Sequence, residues 1–178
     1  MVDPKTTKRI AYRMLFVAMA AGILFLHLLP LSPGADRSPG PDLTLALTLV
    51  WVVRRPRYVP VLLIAAVFFL EDLLFLRPPG LWTLIVVLAT EFLRSRETTL
   101  RQLPFISEWL IVGALMVVML LANRLVLALV VVPQPTLEQT LLQMQATLIA
   151  YPLVALVSQV VFKLRRVPGD IDEAGLPL

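Results

Sequence analysis

The stretch 42–57, DLTLALTLVWVVRRPR, joins an apolar run directly to a basic turn. Asp42 stands where a helix N-cap belongs, and the run 43–53 that follows carries no charged residue. The turn Arg54-Arg55-Pro56-Arg57 closes the run with three cations. Apolar runs flanked by Lys and Arg recur along the chain, and this pattern is typical of an integral membrane protein with its basic turns on the cytoplasmic side.

The composition of the chain excludes several classes of function. The 178 residues are 58% hydrophobic and 16% charged, whereas a soluble domain is about 45–50% apolar. The net charge is only +4, so we interpret the basic residues as topology signals and expect no nucleic-acid partner. The chain has no cysteine and one histidine, His27. These counts exclude disulfides, thiolate sites and multi-histidine zinc sites, and we expect His27 to be a packing residue.

The apolar runs predict an all-α integral membrane bundle of six transmembrane helices over residues 1–166. A cytoplasmic tail, 167–178, is expected to be disordered. The helices are predicted near 10–31, 42–53, 58–76, 80–93, 105–132 and 137–164. The first run is longer than a typical signal-peptide core, so we expect an uncleaved helix. The second run covers only about half of the ~30 Å hydrocarbon core. It must therefore extend into its flanks, lie where the bilayer is thin, or be shielded by neighbours.

The basic residues predict the orientation of the bundle. Thirteen of the sixteen Lys and Arg residues lie in the N-terminal segment up to Arg13 or at the second, fourth and final gaps. Arg37 and Arg77 lie on the opposite side, and Arg124 lies inside the fifth helix. The positive-inside rule then places both termini in the cytoplasm. The cytoplasmic basic turns are expected to contact anionic lipid.

Charged residues inside the predicted helices are candidate functional groups, because each costs about 2.5–3.5 kcal/mol at the bilayer centre. Glu71 and Asp72 lie in the third helix, and Asn123 and Arg124 in the fifth. We predict that one of the two acids pairs with Arg124. The pair could be a structural tie or a proton or ion site, and either side chain could instead extend to the headgroups. Adjacent positions point about 100° apart, so Glu71 and Asp72 cannot form a catalytic dyad with each other.

The sixth helix carries a polar face formed by Gln139, Gln143, Thr147 and Tyr151 at four-residue spacing. Lipid cannot satisfy these groups, so the face should point into the bundle or at a partner helix. It could bind helices together, line a ligand site or dock a partner. Pro152 is expected to kink the helix.

The remaining acids and motifs do not indicate catalysis. Glu91 and Glu108 are expected at the membrane interface. The sequence contains none of the common nucleotide-binding, metalloprotease or serine-hydrolase motifs. We therefore expect no enzymatic activity, no metal site and no cofactor.

The middle of the chain resembles MreD, the rod shape-determining membrane protein family of bacteria. The resemblance lies in Pro41-Asp42-Leu43, Arg54-Arg55-Pro56-Arg57, the segment 72–82 and the segment 91–96. Its fixed polar and turn positions are Pro41, Asp42, Arg55, Pro56, Asp72, Pro78 and Gly80. The family often has glycine shortly before and after the acidic position, where this chain has Phe69 and Leu76.

The resemblance implies a scaffold in the cell-wall elongation machinery of the bacterial inner membrane. Its closest partner would be MreC, a single-span protein with a periplasmic domain. MreB, RodA and the transpeptidase partner of RodA would complete the complex. The implied fold is similar to the substrate-binding subunits of vitamin importers. The short second helix and the polar sixth helix are both expected to contact a protein neighbour.

A substrate-capture subunit of a vitamin or metal importer is the alternative function. It predicts a closed polar cavity near the outer face, reached by Glu71 or Asp72, by Arg124 and by the sixth-helix stripe.

Overall fold

The computed structural model describes residues 4–29, 40–132 and 134–160, and these residues are helical apart from short turns. The α-helices are α1 (Pro4–Leu28), α2 (Leu43–Arg54), α3 (Val61–Leu74), α4 (Leu81–Ser95), α5 (Glu97–Gln102), α6 (Phe105–Leu129) and α7 (Leu137–Val160). The predicted tail 167–178 lies outside the described residues.

Each predicted apolar run overlaps one of the longer helices, and prolines account for several differences in the bounds. A 3-10 turn, Pro56–Tyr58, and then Pro60 precede α3, which therefore begins at Val61 rather than near residue 58. Pro104 similarly precedes α6. Proline disfavours helical geometry in the residue before it but is well suited to a helix start. The short helix α5 was not predicted.

Contacts between helix ends show that the six longer helices alternate in direction. At one end of the bundle the ring of Tyr12, near the start of α1, stacks on Tyr58 at 4.5 Å after α2 has ended. At the same end Arg94, late in α4, donates to the carbonyl of Val59 at 2.9 Å. At the opposite end His27 lies against Phe75, with ring centroids 6.1 Å apart. The basic turns after α2 and α4 therefore share one end, here called the basic end.

Among the residues that the structure describes, three helical segments are long and apolar enough to cross a membrane: Arg9–Leu28, Phe105–Leu129 and Leu137–Val160. This finding supports a helical membrane protein. The helices α2, α3 and α4 have 12, 14 and 15 residues. At 1.5 Å per residue they are about 18–22 Å long, shorter than the hydrocarbon core.

The short helix α2 is shielded by the rest of the chain. All of its residues except Leu43 are buried, and it packs against α1, α4 and α7. Trp51 lies at the centre of this packing, 5.6 Å from the ring of Phe16. The expectation that α2 faces another protein is therefore wrong, because its own neighbours cover it. Shielding was one of the three explanations that its length left open.

Candidate functional site

A cavity of about 490 Å³ lies at the end of the bundle opposite the basic end. One wall comes from α6 and α7, and the facing wall comes from the start of α2 and the α3–α4 turn. Five of the predicted polar candidates line it: Asn123, Arg124, Gln139, Gln143 and Thr147. Glu71, Asp72 and Tyr151 do not belong to its lining. The cavity is therefore the place where the structure brings most of the predicted residues together.

Arg124 connects the end of α6 with the start of α7. Its Nη1 donates to Thr140 Oγ1 at 3.1 Å and to the carbonyl of Pro135 at 3.3 Å. Gln134 returns a hydrogen bond from Nε2 to the Arg124 carbonyl at 3.1 Å. No carboxylate in the described part of the chain lies within ion-pairing distance of Arg124. The predicted pairing of Arg124 with Glu71 or Asp72 is therefore wrong.

Asp72 has different partners because it caps a neighbouring helix. Its Oδ2 accepts from the Thr83 hydroxyl at 2.8 Å, the Gly80 backbone N–H at 3.0 Å and the Thr83 backbone N–H at 3.2 Å. Gly80 has a positive φ of 87° and offers no side chain to cap α4. A carboxylate on α3 thus satisfies the first free N–H groups of α4, where the helix dipole also favours negative charge.

Asp42 caps its own helix, α2, and also connects α2 to α7. Its Oδ1 accepts from the Leu45 backbone N–H at 2.9 Å, which confirms the predicted N-cap. Its own backbone N–H donates to Thr147 Oγ1 at 2.9 Å, and the Thr147 hydroxyl donates to the Gln143 carbonyl at 2.7 Å. The polar stripe of α7 thus turns into the bundle at Thr147, so this part of it does not face a partner helix.

Glu71 lies beside these two joints and is buried. Its carboxylate experiences the charges of Asp42, Asp72 and Arg77. Its Oε2 atom finds no hydrogen-bond donor among the residues that the structure describes.

The ends of α3 and α6 meet the cavity in the same conformation. Leu76 (φ 53°) and Val131 (φ 56°) have left-handed backbone conformations. The next N–H groups, of Arg77 and Val132, donate to the carbonyls of Asp72 and Leu127. These are Schellman motifs, in which glycine is usual at the left-handed position. Leu76 and Val131 therefore occupy positions that favour glycine.

A second polar group lies toward the basic end of the same helix pair. The Tyr151 hydroxyl donates to Glu108 Oε1 at 2.7 Å, and both side chains are fully buried. The expectation that Glu108 is interfacial is therefore wrong, because α7 covers the first turn of α6. Arg54 is also buried, and its Nη1 donates to Gln159 Oε1 at 3.3 Å. Glu91, in contrast, is exposed and forms a salt bridge with Arg94 at 3.0 Å.

Helices α6 and α7 are in close contact at Leu148. The indole Nε1 of Trp109 donates to the Leu148 carbonyl at 3.0 Å. A side chain at Gly113 would come within 3.1 Å of a Leu148 methyl group. Trp109 was missed from the sequence, although Pro152 gave a signal: a proline within α7 leaves the carbonyl four residues earlier without its helical donor.

Comparison of the chain with protein-family models, curated proteins and solved structures finds no match in any of the three.

Proposed function

We propose that this chain is a non-enzymatic scaffold of the bacterial cell-wall elongation machinery, of the kind found in the MreD family. It crosses the inner membrane six times with both termini in the cytoplasm. It holds MreC, its closest partner, together with RodA and the transpeptidase partner of RodA. MreB lies on the cytoplasmic side of the same complex.

The proposal rests on the structural roles of Asp42 and Asp72, the two acidic residues among the fixed polar and turn positions that resemble the MreD family. Asp42 and Asp72 each accept hydrogen bonds from a helix N-terminus, and each joint ties two helices together. An acid that is committed to backbone N–H groups stabilises a fixed arrangement of helices. A fixed arrangement is what a scaffold requires in order to hold several partners in register.

The charge distribution supports the proposed topology. The basic turns after α2 and α4 lie at the end of the bundle where α1 begins. The short helices α2, α3 and α4 are consecutive in the chain, and α2 is enclosed by longer ones. Three short helices can cross a bilayer that is locally thinned or displaced by protein.

Depletion in the native bacterium tests this function. Loss of the chain should turn rods into round cells, and the wild-type gene should restore the rods. Asp72→Ala should fail to restore them, whereas Glu91→Gln should succeed, because Glu91 is exposed and touches only its own helix. Unchanged rods after depletion would contradict the proposal.

The cavity is the observation that favours the second candidate, a substrate-capture subunit. Its lining includes Arg124 and part of the α7 stripe, as that function predicts, but neither Glu71 nor Asp72. A vitamin or metal that copurifies with the chain, together with an ATP-binding transport module, would support the capture function and exclude the scaffold.

A further inference from the structure

We propose that the cavity lined by α6, α7, the start of α2 and the α3–α4 turn binds an amphiphile by its anionic headgroup, with Arg77 and Arg124 as the cationic contacts and the apolar part of the lining against the acyl portion. The proposal concerns the ligand of this cavity and does not depend on which proteins the chain holds.

The shape of the α6–α7 pair creates the space. Near the basic end the helices touch closely, at Gly113 with Leu148 and at Trp109 with the Leu148 carbonyl. Toward the other end both helices line the cavity, and Arg124 donates a hydrogen bond to Thr140 there. A volume of about 490 Å³ lies within the range of about 300–1,000 Å³ that is usual for small-molecule sites.

The charges of the lining point to an anion. Arg77 and Arg124 both line the cavity, and neither has a carboxylate within ion-pairing distance in the ranges that the structure describes. Asp42 is the acid of the lining, and its carboxylate already caps α2. Two guanidinium groups outnumber this one engaged carboxylate, and guanidinium is well suited to phosphate or carboxylate oxygens.

The remaining lining fits the rest of a headgroup and the start of a chain. Asn123, Gln139 and Gln143 offer amide donors and acceptors for hydroxyl or ester groups. The lining also contains apolar side chains from both walls, among them Trp82 and Met116. A site that combines polar and apolar groups matches an amphiphile better than a free inorganic ion.

The rim of the cavity carries exposed apolar side chains. Leu76, which lines it, is 93% exposed, and Val131, next to the lining residue Val132, is 87% exposed. Both residues hold a left-handed conformation that costs non-glycine residues about 1–2 kcal/mol. An amphiphile that enters from the bilayer would contact these two side chains with its acyl portion.

The test measures the binding of dioctanoyl phosphatidylglycerol to the full-length chain in a neutral detergent by calorimetry. Dioctanoyl phosphatidylcholine and glycerol 3-phosphate are titrated in parallel. We expect saturable binding of the phosphatidylglycerol and none of the phosphatidylcholine. The double variant Arg77→Gln/Arg124→Gln should raise the Kd by at least about tenfold, since each arginine contributes a charge-assisted hydrogen bond.

The matched control is Arg57→Gln/Arg96→Gln, which removes two exposed cations from the basic end. Its Kd should change by less than about twofold, since screening weakens distant exposed charges. Arg77→Gln alone provides a second variant if loss of the Arg124 tie prevents folding, because the Arg77 guanidinium lies over the Phe75 ring, 5.5 Å from its centroid.

Equal affinity for glycerol 3-phosphate and the lipid, lost in the Arg77→Gln/Arg124→Gln variant, would support the site and identify its ligand as a water-soluble anion. Absence of binding by both anionic probes would overturn the proposal. An equal loss of affinity in the control pair would also overturn it, because the lipid would then be attracted by the general charge of the protein.

Discussion

The indole N–H of Trp109 donates to the Leu148 carbonyl, the one that Pro152 leaves without a donor four residues along α7. The two atoms are 3.0 Å apart, and the bond joins α6 to α7 near the close contact between Gly113 and Leu148. A proline in the middle of a helix would otherwise leave a polar carbonyl unsatisfied within the bundle. The pair therefore explains how α7 can contain Pro152 and remain helical from Leu137 to Val160.

Trp109→Phe should lower the free energy of unfolding by about 1–2 kcal/mol, because the Leu148 carbonyl loses its donor. Trp82→Phe is the matched control, since the Trp82 indole N–H has no acceptor among the described residues. Its cost should be clearly smaller. Thermal or denaturant unfolding in detergent measures both.

Pro152→Ala should rescue part of the Trp109→Phe loss, because the new N–H at position 152 can bond the Leu148 carbonyl. A double-mutant cycle between the two positions gives the coupling. If the losses simply add, Trp109 does not act by replacing the helical donor.

Asp72→Ala should destabilise the chain by about 3–5 kcal/mol, because three hydrogen bonds to one buried carboxylate disappear. Thr83→Val should couple strongly to this change in a double-mutant cycle. Arg124→Gln should be additive with it, since Arg124 and Asp72 do not touch. Strong coupling between Asp72 and Arg124 would instead indicate that the two side chains form an ion pair, contrary to the structure.

Tyr151→Phe should cost about 1–3 kcal/mol by leaving buried Glu108 without its hydroxyl donor. Glu108→Gln should cost less, because the amide oxygen can still accept this bond. Glu91→Gln is the exposed control and should change stability by no more than about 0.5 kcal/mol. If Glu108→Gln and Glu91→Gln changed stability equally, Glu108 would behave as an exposed residue at the membrane interface, contrary to the structure.

Leu76→Gly and Val131→Gly should each stabilise the chain by up to about 1 kcal/mol, because glycine relieves the left-handed backbone. The neighbouring substitutions Leu74→Gly and Val130→Gly should destabilise it, since these two residues lack a positive φ. Destabilisation by all four would show that the two side chains contribute more than their backbone strain costs.

The apolar runs predicted the location of the six longer helices, and the residue type of Asp42 predicted its N-cap. Side-chain partners were harder to predict, because they depend on which helix ends meet. Asp72 is close in sequence to the start of α4, and this short connection decides its partner over the distant Arg124. Glu108 stands in the first turn of α6, where exposure is common, but α7 covers that turn. Trp109 could have been found only by asking which donor replaces the N–H that Pro152 lacks.

Cysteine labelling tests the proposed topology, because the natural chain has no cysteine. Single cysteines at the exposed positions Pro79 and Pro135 should react with a membrane-impermeant maleimide in intact spheroplasts. Cysteines at Arg57 and Arg96 should react only after the membrane is opened. Labelling of Arg57→Cys from outside would contradict the proposed orientation, in which the basic turns lie in the cytoplasm.

Photo-crosslinking in native membranes tests the scaffold function most directly. A photoreactive residue is placed at one exposed apolar position on each of α1, α3, α4, α6 and α7, namely Phe25, Leu62, Leu88, Leu121 and Leu153. Buried Ile64 serves as the control position that should give no adduct. We predict that at least one exposed position gives an adduct with a single-span protein that has a periplasmic domain, identified by mass spectrometry. Adducts only with an ATP-binding transport module, and none with a cell-wall protein, would contradict the account.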